Sequence, residues 1–163
     1  MVYRSSWMTE ELDLFREGFR RFLVTTLAPR AEQWRADKRV DREAWLALGE
    51  IGALCPDVPE DYGGLGGTFG HVAAVIEDVG YELPQMASPI AVHNGIVAQY
   101  VMAYGSDEQK RRWLPGMVRG ELIGAIAMTE PGGGSDLQAL RTTARREGNS
   151  YVLNGSKTFI TNG

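Results

Sequence analysis

The chain has 163 residues, with seventeen Lys and Arg against twenty-one Asp and Glu and a formal net charge of −4. A chain of this size buries roughly 68–70% of its unfolded surface, so a core forms without staples, and the acidic balance gives no footprint for nucleic acid. The single cysteine excludes an intrachain disulfide, two histidines argue against a histidine-rich metal site, and no apolar run reaches the roughly 18 residues of a membrane span.

Glu10, Glu11 and Asp13 fit neither a signal peptide nor an acid-poor transit peptide, so the expectation is a soluble, reduced, cytoplasmic protein. Leu12, Phe15, Phe19, Phe22 and Leu23 recur at steps of three and four, which predicts a helix with one apolar face. Thr9 is its expected N-cap, and Arg16, Glu17, Arg20 and Arg21 fill the opposite side. A second helix is expected from Asp41 through Trp45, Leu48 and Ile51 to a stop near Gly52. A third follows Thr68 and carries Val72, Val75, Ile76 and Val79 before Gly80. Ser88-Pro89 has the N-cap and N1 arrangement of a fourth, which continues through Ile90, His93, Val97 and Val101 to Gly105. Ser106 and Gln109 form a capping box that opens a fifth, holding Trp113, Leu114 and Met117.

The period changes near Gly120, which divides an expected helical domain (1–120) from an expected β-domain that begins at 121 and is incomplete at 163. Leu122 to Met128 is a small-apolar run short enough for a strand buried on both faces. Glu147-Gly148-Asn149-Ser150 reads as a turn and Tyr151-Val152-Leu153 as a strand. Asn154-Gly155 is a hairpin signal, with Lys157 to Thr161 as the returning strand.

Cys55, followed by Pro56 and without a His/Asn pattern, reads as a small buried thiol. His71 and His93 read as packed or half-exposed imidazoles on helices. Gly63-Gly64-Leu65-Gly66-Gly67 has Phe69 where a dinucleotide fingerprint requires glycine, so it reads as a tight loop entering a helix. Arg141, Arg145 and Arg146 either steer a phosphate or blunt a strand edge with charge. Thr129-Glu130-Pro131-Gly132-Gly133-Gly134-Ser135-Asp136 places a hydroxyl, a segment without side chains and a second hydroxyl in sequence. Its backbone N–H groups can approach a flat or anionic ligand closely, or the segment is simply a mobile turn.

Those eight residues resemble the first flavin segment of the acyl-CoA dehydrogenase family, and further motifs follow in register. Pro59-Glu60-Asp61-Tyr62-Gly63-Gly64 is similar to the family's loop after its second helix. Gly105 through Lys110, Trp113-Leu114-Pro115 and Gly120-Glu121 resemble its approach to the middle domain. Asn154-Gly155-Ser156-Lys157 and Phe159-Ile160-Thr161-Asn162-Gly163 resemble its second flavin segment.

The resemblance implies a mainly α N-terminal helical domain, then the first strands of a β-barrel-like middle domain, with the family's C-terminal helical domain absent from these residues. It implies FAD as cofactor and, as contacts, Ile126, Ala127, Met128, Thr129, Gly134, Ser135, Phe159, Ile160 and Thr161. Thr129 would reach the isoalloxazine ring, Ser135 the pyrophosphate or the acyl-CoA, and the Thr161 hydroxyl the region of flavin N5. Phe159 stands where the family commonly has tryptophan, which keeps an aromatic face and loses an N–H donor. The implied reaction is α,β-dehydrogenation of an acyl-CoA substrate, with electron-transfer flavoprotein as acceptor and a homo- or hetero-oligomeric parent. No catalytic residue is assigned, because the family's glutamate base lies in its C-terminal domain; Glu60 and Glu130, in Pro-bracketed turns, read as structural. A partner subunit lending only its helical domain to a complete dehydrogenase is the alternative.

Overall fold

The computed structural model describes residues 5–163, and the chain separates after Gly124 into two compact units. The first unit is helical. Helix α1 (Glu10–Phe22) starts where Thr9 Oγ1 accepts from Leu12 N at 3.2 Å. It buries Leu12 and Phe19 and half-buries Phe15 and Phe22. The chain continues through a π-helical turn (Leu23–Leu27), a 3-10 turn (Ala28–Arg30) and α2 (Ala31–Asp37), which the apolar spacing did not predict. Helix α3 (Arg42–Glu50) has Asp41 as its cap, accepting from Ala44 N at 2.9 Å. Its Trp45 and Leu48 are buried, whereas Ile51 lies beyond the helix and is exposed.

Helix α4 (Phe69–Glu82) carries the Thr68–His71 capping box and runs through Gly80. The fourth expected helix is corrected: α5 (Pro84–Ile90) begins at Pro84, and Ser88-Pro89 lies inside it. Pro89 withholds a bond from the Gln85 carbonyl. The backbone then widens into a π-helical stretch (Ala91–Val97), a form common where a helical ladder is interrupted. Helices α6 (Ala98–Tyr104) and α7 (Asp107–Val118) follow, the latter with the Ser106–Gln109 capping box.

Leu23, Leu27, Trp34, Trp45, Leu48, Val75, Val79, Met86 and Ile90 share the main core, so the unpredicted α2 is held by Trp34. Burying each large apolar side chain contributes roughly 1.5–3 kcal/mol. The charged side of α1 is also corrected: Arg16 is largely covered and holds the fully buried Asp78 of α4. Arg16 Nε donates to Asp78 Oδ2 at 3.1 Å, its Nη2 also bonds Asp78 Oδ1, and Arg20 Nε donates at 2.9 Å.

The π-helical stretch turns two neighbouring polar residues into the core. Asn94 Nδ2 donates to Ala53 O and its Oδ1 accepts from Cys55 N, both at 2.9 Å. His93 Nε2 lies 3.1 Å from Met117 O, and its Nδ1 accepts from Gly124 N at 2.9 Å. This pattern requires the neutral ring with its proton on Nε2. Burial pushes the His93 pKa below its usual value, only partly offset by the bond to Met117 O. His71 sits in the capping box, so both histidines are packed structural groups.

The second unit contains one antiparallel hairpin, β1 (Thr143–Glu147) with β2 (Ser150–Asn154). Glu147 pairs with Ser150 around Gly148-Asn149, and Gly148 has φ +61, the left-handed value that a Gly-first hairpin turn needs. Two expectations fail. Leu122 to Met128 is neither a strand nor buried on both faces, and Lys157 to Thr161 is no returning strand. A strand exists only with a partner. Among the described residues the two segments share one main-chain bond, Thr158 N to Thr129 O at 3.0 Å.

Candidate functional site

Pro131 and Gly132 form the centre of a turn closed on both sides. Glu130 N donates to Gly133 O at 3.0 Å and Gly133 N to Glu130 O at 3.1 Å. Behind the turn, the Glu130 carboxylate is nearly buried, at 8% exposure. It accepts from Arg141 N at 2.7 Å, Thr142 N at 2.9 Å and Lys157 Nζ at 2.9 Å. The Thr142 hydroxyl, the Arg141 amide, Lys157 and the Thr142 amide, in that order, hold the Glu130 carboxyl down to about 2. The Thr142 hydroxyl makes no hydrogen bond of good geometry, whereas the two amides and Lys157 do. Glu130 is thus a structural anion and no general base. A shallow cavity of about 210 Å³ borders this knot, lined among others by Glu130, Pro131, Arg141, Thr142 and Gly155.

The glycine run is the informative part. A Cβ on Gly132 or Gly133 would meet nothing within 4 Å, and on Gly134 only Thr129 Cγ2 at 3.7 Å. None of the three has a positive φ. Among the described residues, neither packing nor conformation therefore demands glycine there. Gly64 differs: a Cβ there would overlap the Val58 carbonyl, so the earlier glycine loop is a packing requirement. Three glycines free of internal constraint leave an open main-chain surface. The amides of Ile126, Ala127, Met128, Thr129, Gly134 and Ser135 make no hydrogen bond within the described residues.

Of the expected site residues, the structure brings Thr129 against Thr158, immediately before Phe159, Ile160 and Thr161. Ala127, Met128, Gly134 and Ser135 are exposed, and Ile126, Thr129, Ile160 and Thr161 half-buried. Phe159 is 92% exposed and its backbone is left-handed at φ +56. For an aromatic residue that conformation costs roughly 1–2 kcal/mol, strain of the kind that gathers at binding sites. Lys157, which the sequence reading placed only in a motif, bridges the two segments. Its partners lie 27 and 29 residues away, so no local pattern marked it.

Arg145, Arg146 and Cys55 resolve as structure. Arg145 pairs with Glu147, and Arg146 Nε donates to Gly148 O at 3.1 Å, so both serve the hairpin. Cys55 is buried with φ +48, and burial raises its thiol well above the reactive range. Among the described residues no cluster of His, Cys, Asp and Glu could hold a metal ion, and no helix is long and apolar enough to cross a membrane.

A helical unit followed by a β unit with an exposed glycine turn describes a class of protein by its fold alone. Comparison with known proteins is specific about the kind. Residues 9–121 match the N-terminal domain of acyl-CoA dehydrogenase, and residues 125–163 match its middle domain. The chain belongs to the acyl-CoA dehydrogenase family. It is 43% identical over 156 residues to the mitochondrial long-chain specific acyl-CoA dehydrogenase of Sus scrofa, covering 95% of this chain and 36% of that protein. The crystal structure of acyl-CoA dehydrogenase from Geobacillus kaustophilus superposes with a TM-score of 0.95 at 44% identity, over 98% of this chain and 42% of that one. A glutaryl-CoA dehydrogenase from Mycobacterium smegmatis, solved in complex with FADH2, superposes with a TM-score of 0.88 at 30% identity, over 95% and 40%. The chain therefore spans about two-fifths of the length of these relatives.

Proposed function

We propose that these residues are the N-terminal part of an FAD-dependent acyl-CoA dehydrogenase. The carrying observation is the glycine turn, whose side-chain-free surface has no packing reason among the described residues and is open to a ligand. Family membership supports the same reading, as does the glutaryl-CoA dehydrogenase neighbour in complex with FADH2. When bound, FAD supplies the hydride acceptor for α,β-dehydrogenation of an acyl-CoA thioester.

On this reading, Ile126, Ala127, Met128, Thr129, Gly134 and Ser135 lie along the cofactor on one side and Phe159, Ile160 and Thr161 on the other. Ser135 also reaches the acyl-CoA. Amides and hydroxyls already fixed in the protein stabilise developing negative charge without reorganising, which is the cheapest way to lower such a barrier. The α-proton requires a base, and Glu130 is unsuited, since its carboxylate is occupied by main-chain donors and Lys157. We place the base in the family's C-terminal domain and take electron-transfer flavoprotein as the acceptor.

The test is spectroscopic. The full-length protein carrying this sequence, purified and folded, is expected to show oxidised-flavin absorbance that bleaches on adding an acyl-CoA. A folded sample without flavin, or with flavin indifferent to every acyl-CoA offered, would end the reading.

A further inference from the structure

The two peptides assigned to the flavin are joined within the second unit by one main-chain bond and one lysine. Thr158 N–H donates to Thr129 O at 3.0 Å. Lys157 Nζ donates to Met128 O at 3.0 Å and to Glu130 Oε1 at 2.9 Å. An ion pair on an open hairpin contributes little. This pair is different, with 22% of the lysine side chain and 8% of the glutamate exposed, and the carboxylate is further tied to two amides.

The lysine's second donor goes to a main-chain carbonyl, and that has a geometric consequence. A trans peptide is planar, so its C=O and the following N–H point in opposite directions. Gripping the Met128 carbonyl therefore fixes the direction of the Thr129 N–H. The next peptide plane is fixed independently, because Thr129 O accepts from Thr158 N and Glu130 N donates to Gly133 O. Thr129 N–H itself makes no bond within the described residues. It is an aimed donor with no acceptor among the described residues.

We propose that Lys157 is a positioning residue for the flavin: held by Glu130, its ammonium locks the Met128–Thr129 peptide so that the Thr129 N–H faces the isoalloxazine. The inference rests on the flavin reading above. It goes further by assigning a role to a lysine that need not touch the cofactor.

The test uses the full-length protein with Lys157→Met, which keeps the stem and removes both donors, and Lys157→Arg, which restores a cationic donor. Apoprotein is titrated with FAD, and the visible absorption band of the bound flavin is recorded. Lys157→Met is expected to weaken FAD binding about tenfold, the equivalent of one charge-assisted hydrogen bond. It is also expected to move the band of the flavin still bound, and Lys157→Arg should return both toward the original. If Lys157→Met fails to fold, Glu130→Gln releases the lysine while keeping the side chain's shape and is expected to move the band in the same direction. Weaker binding with an unmoved band would reduce Lys157 to a purely structural residue and overturn the proposal. Equal FAD binding by the original and Lys157→Met proteins would overturn it alone, whereas an original protein that folds without FAD would overturn the flavin reading beneath it.

Discussion

Alanine at Gly133 and alanine at Gly64 are the same chemical change with opposite expected outcomes. At Gly133 the new methyl meets no atom within 4 Å, φ is not positive, and both bonds of the Glu130–Gly133 turn survive. The folded state loses nothing while the unfolded chain loses freedom, so stability should rise by about 0.4–1 kcal/mol. At Gly64 the methyl would overlap the Val58 carbonyl and come within 2.7 Å of Val58 Cβ. Backbone must move there, and a loss of about 1–3 kcal/mol is expected. Urea unfolding measures both, with hairpin amides reporting the second unit and helical circular dichroism the first. FAD titration of the full-length protein adds the decisive contrast: Gly133→Ala is expected to weaken flavin binding while stability rises. If Gly133→Ala destabilised the protein, the claim that this glycine lacks an internal reason would be wrong. If it bound FAD unchanged, the open main-chain surface would not be the binding surface.

Three other outcomes follow from buried titratable groups. Asp78→Asn leaves the covered Arg16 with only the half-exposed Glu77, 3.2 Å away, as counter-charge, and should cost about 2–4 kcal/mol, somewhat less than a buried pair with no second partner; a urea-derived loss below about 1 kcal/mol would show that the pair is effectively solvated. His93 is held neutral in the fold with its pKa below 6.5, so its contribution to stability is complete above that value and is lost as pH falls beneath it. The urea midpoint should therefore drop on acidification through that window, and His93→Gln should abolish the His93 part of the drop. Glu130 titrates at about 2 in the fold against 4.5 when free, so its contribution is present above 4.5 and lost as pH falls toward 2. A side-chain carboxyl NMR titration with a midpoint at or above 4.5 would contradict the assigned donors.

What was legible in the sequence was local. Thr9 and Ser106 act on amides three residues on and cap as their spacing implies, and Asp41 and Thr68, expected only as the points where helices begin, cap amides within three residues in the same way. Ser88-Pro89 misled because proline also begins this helix at Pro84, and the π-helical stretch behind Pro89 absorbs the interruption. The run from Leu122 to Met128 has strand composition, but composition cannot supply the neighbouring strand on which hydrogen bonding depends. The site divides in the same way. The glycine turn could be read from its residues, yet its openness is a fact about surrounding atoms. The Arg16–Asp78 and Glu130–Lys157 pairs join residues 62 and 27 apart, where no periodicity connects acid to base.

The most direct measurement is a crystal structure of the full-length protein with FAD bound. The account predicts the isoalloxazine within hydrogen-bonding reach of the Thr129 amide, flanked by Phe159 to Thr161, with the Gly132–Ser135 backbone against the cofactor. A flavin held elsewhere, with Gly132 to Gly134 facing solvent and the Thr129 amide turned away from it, would contradict the central claim.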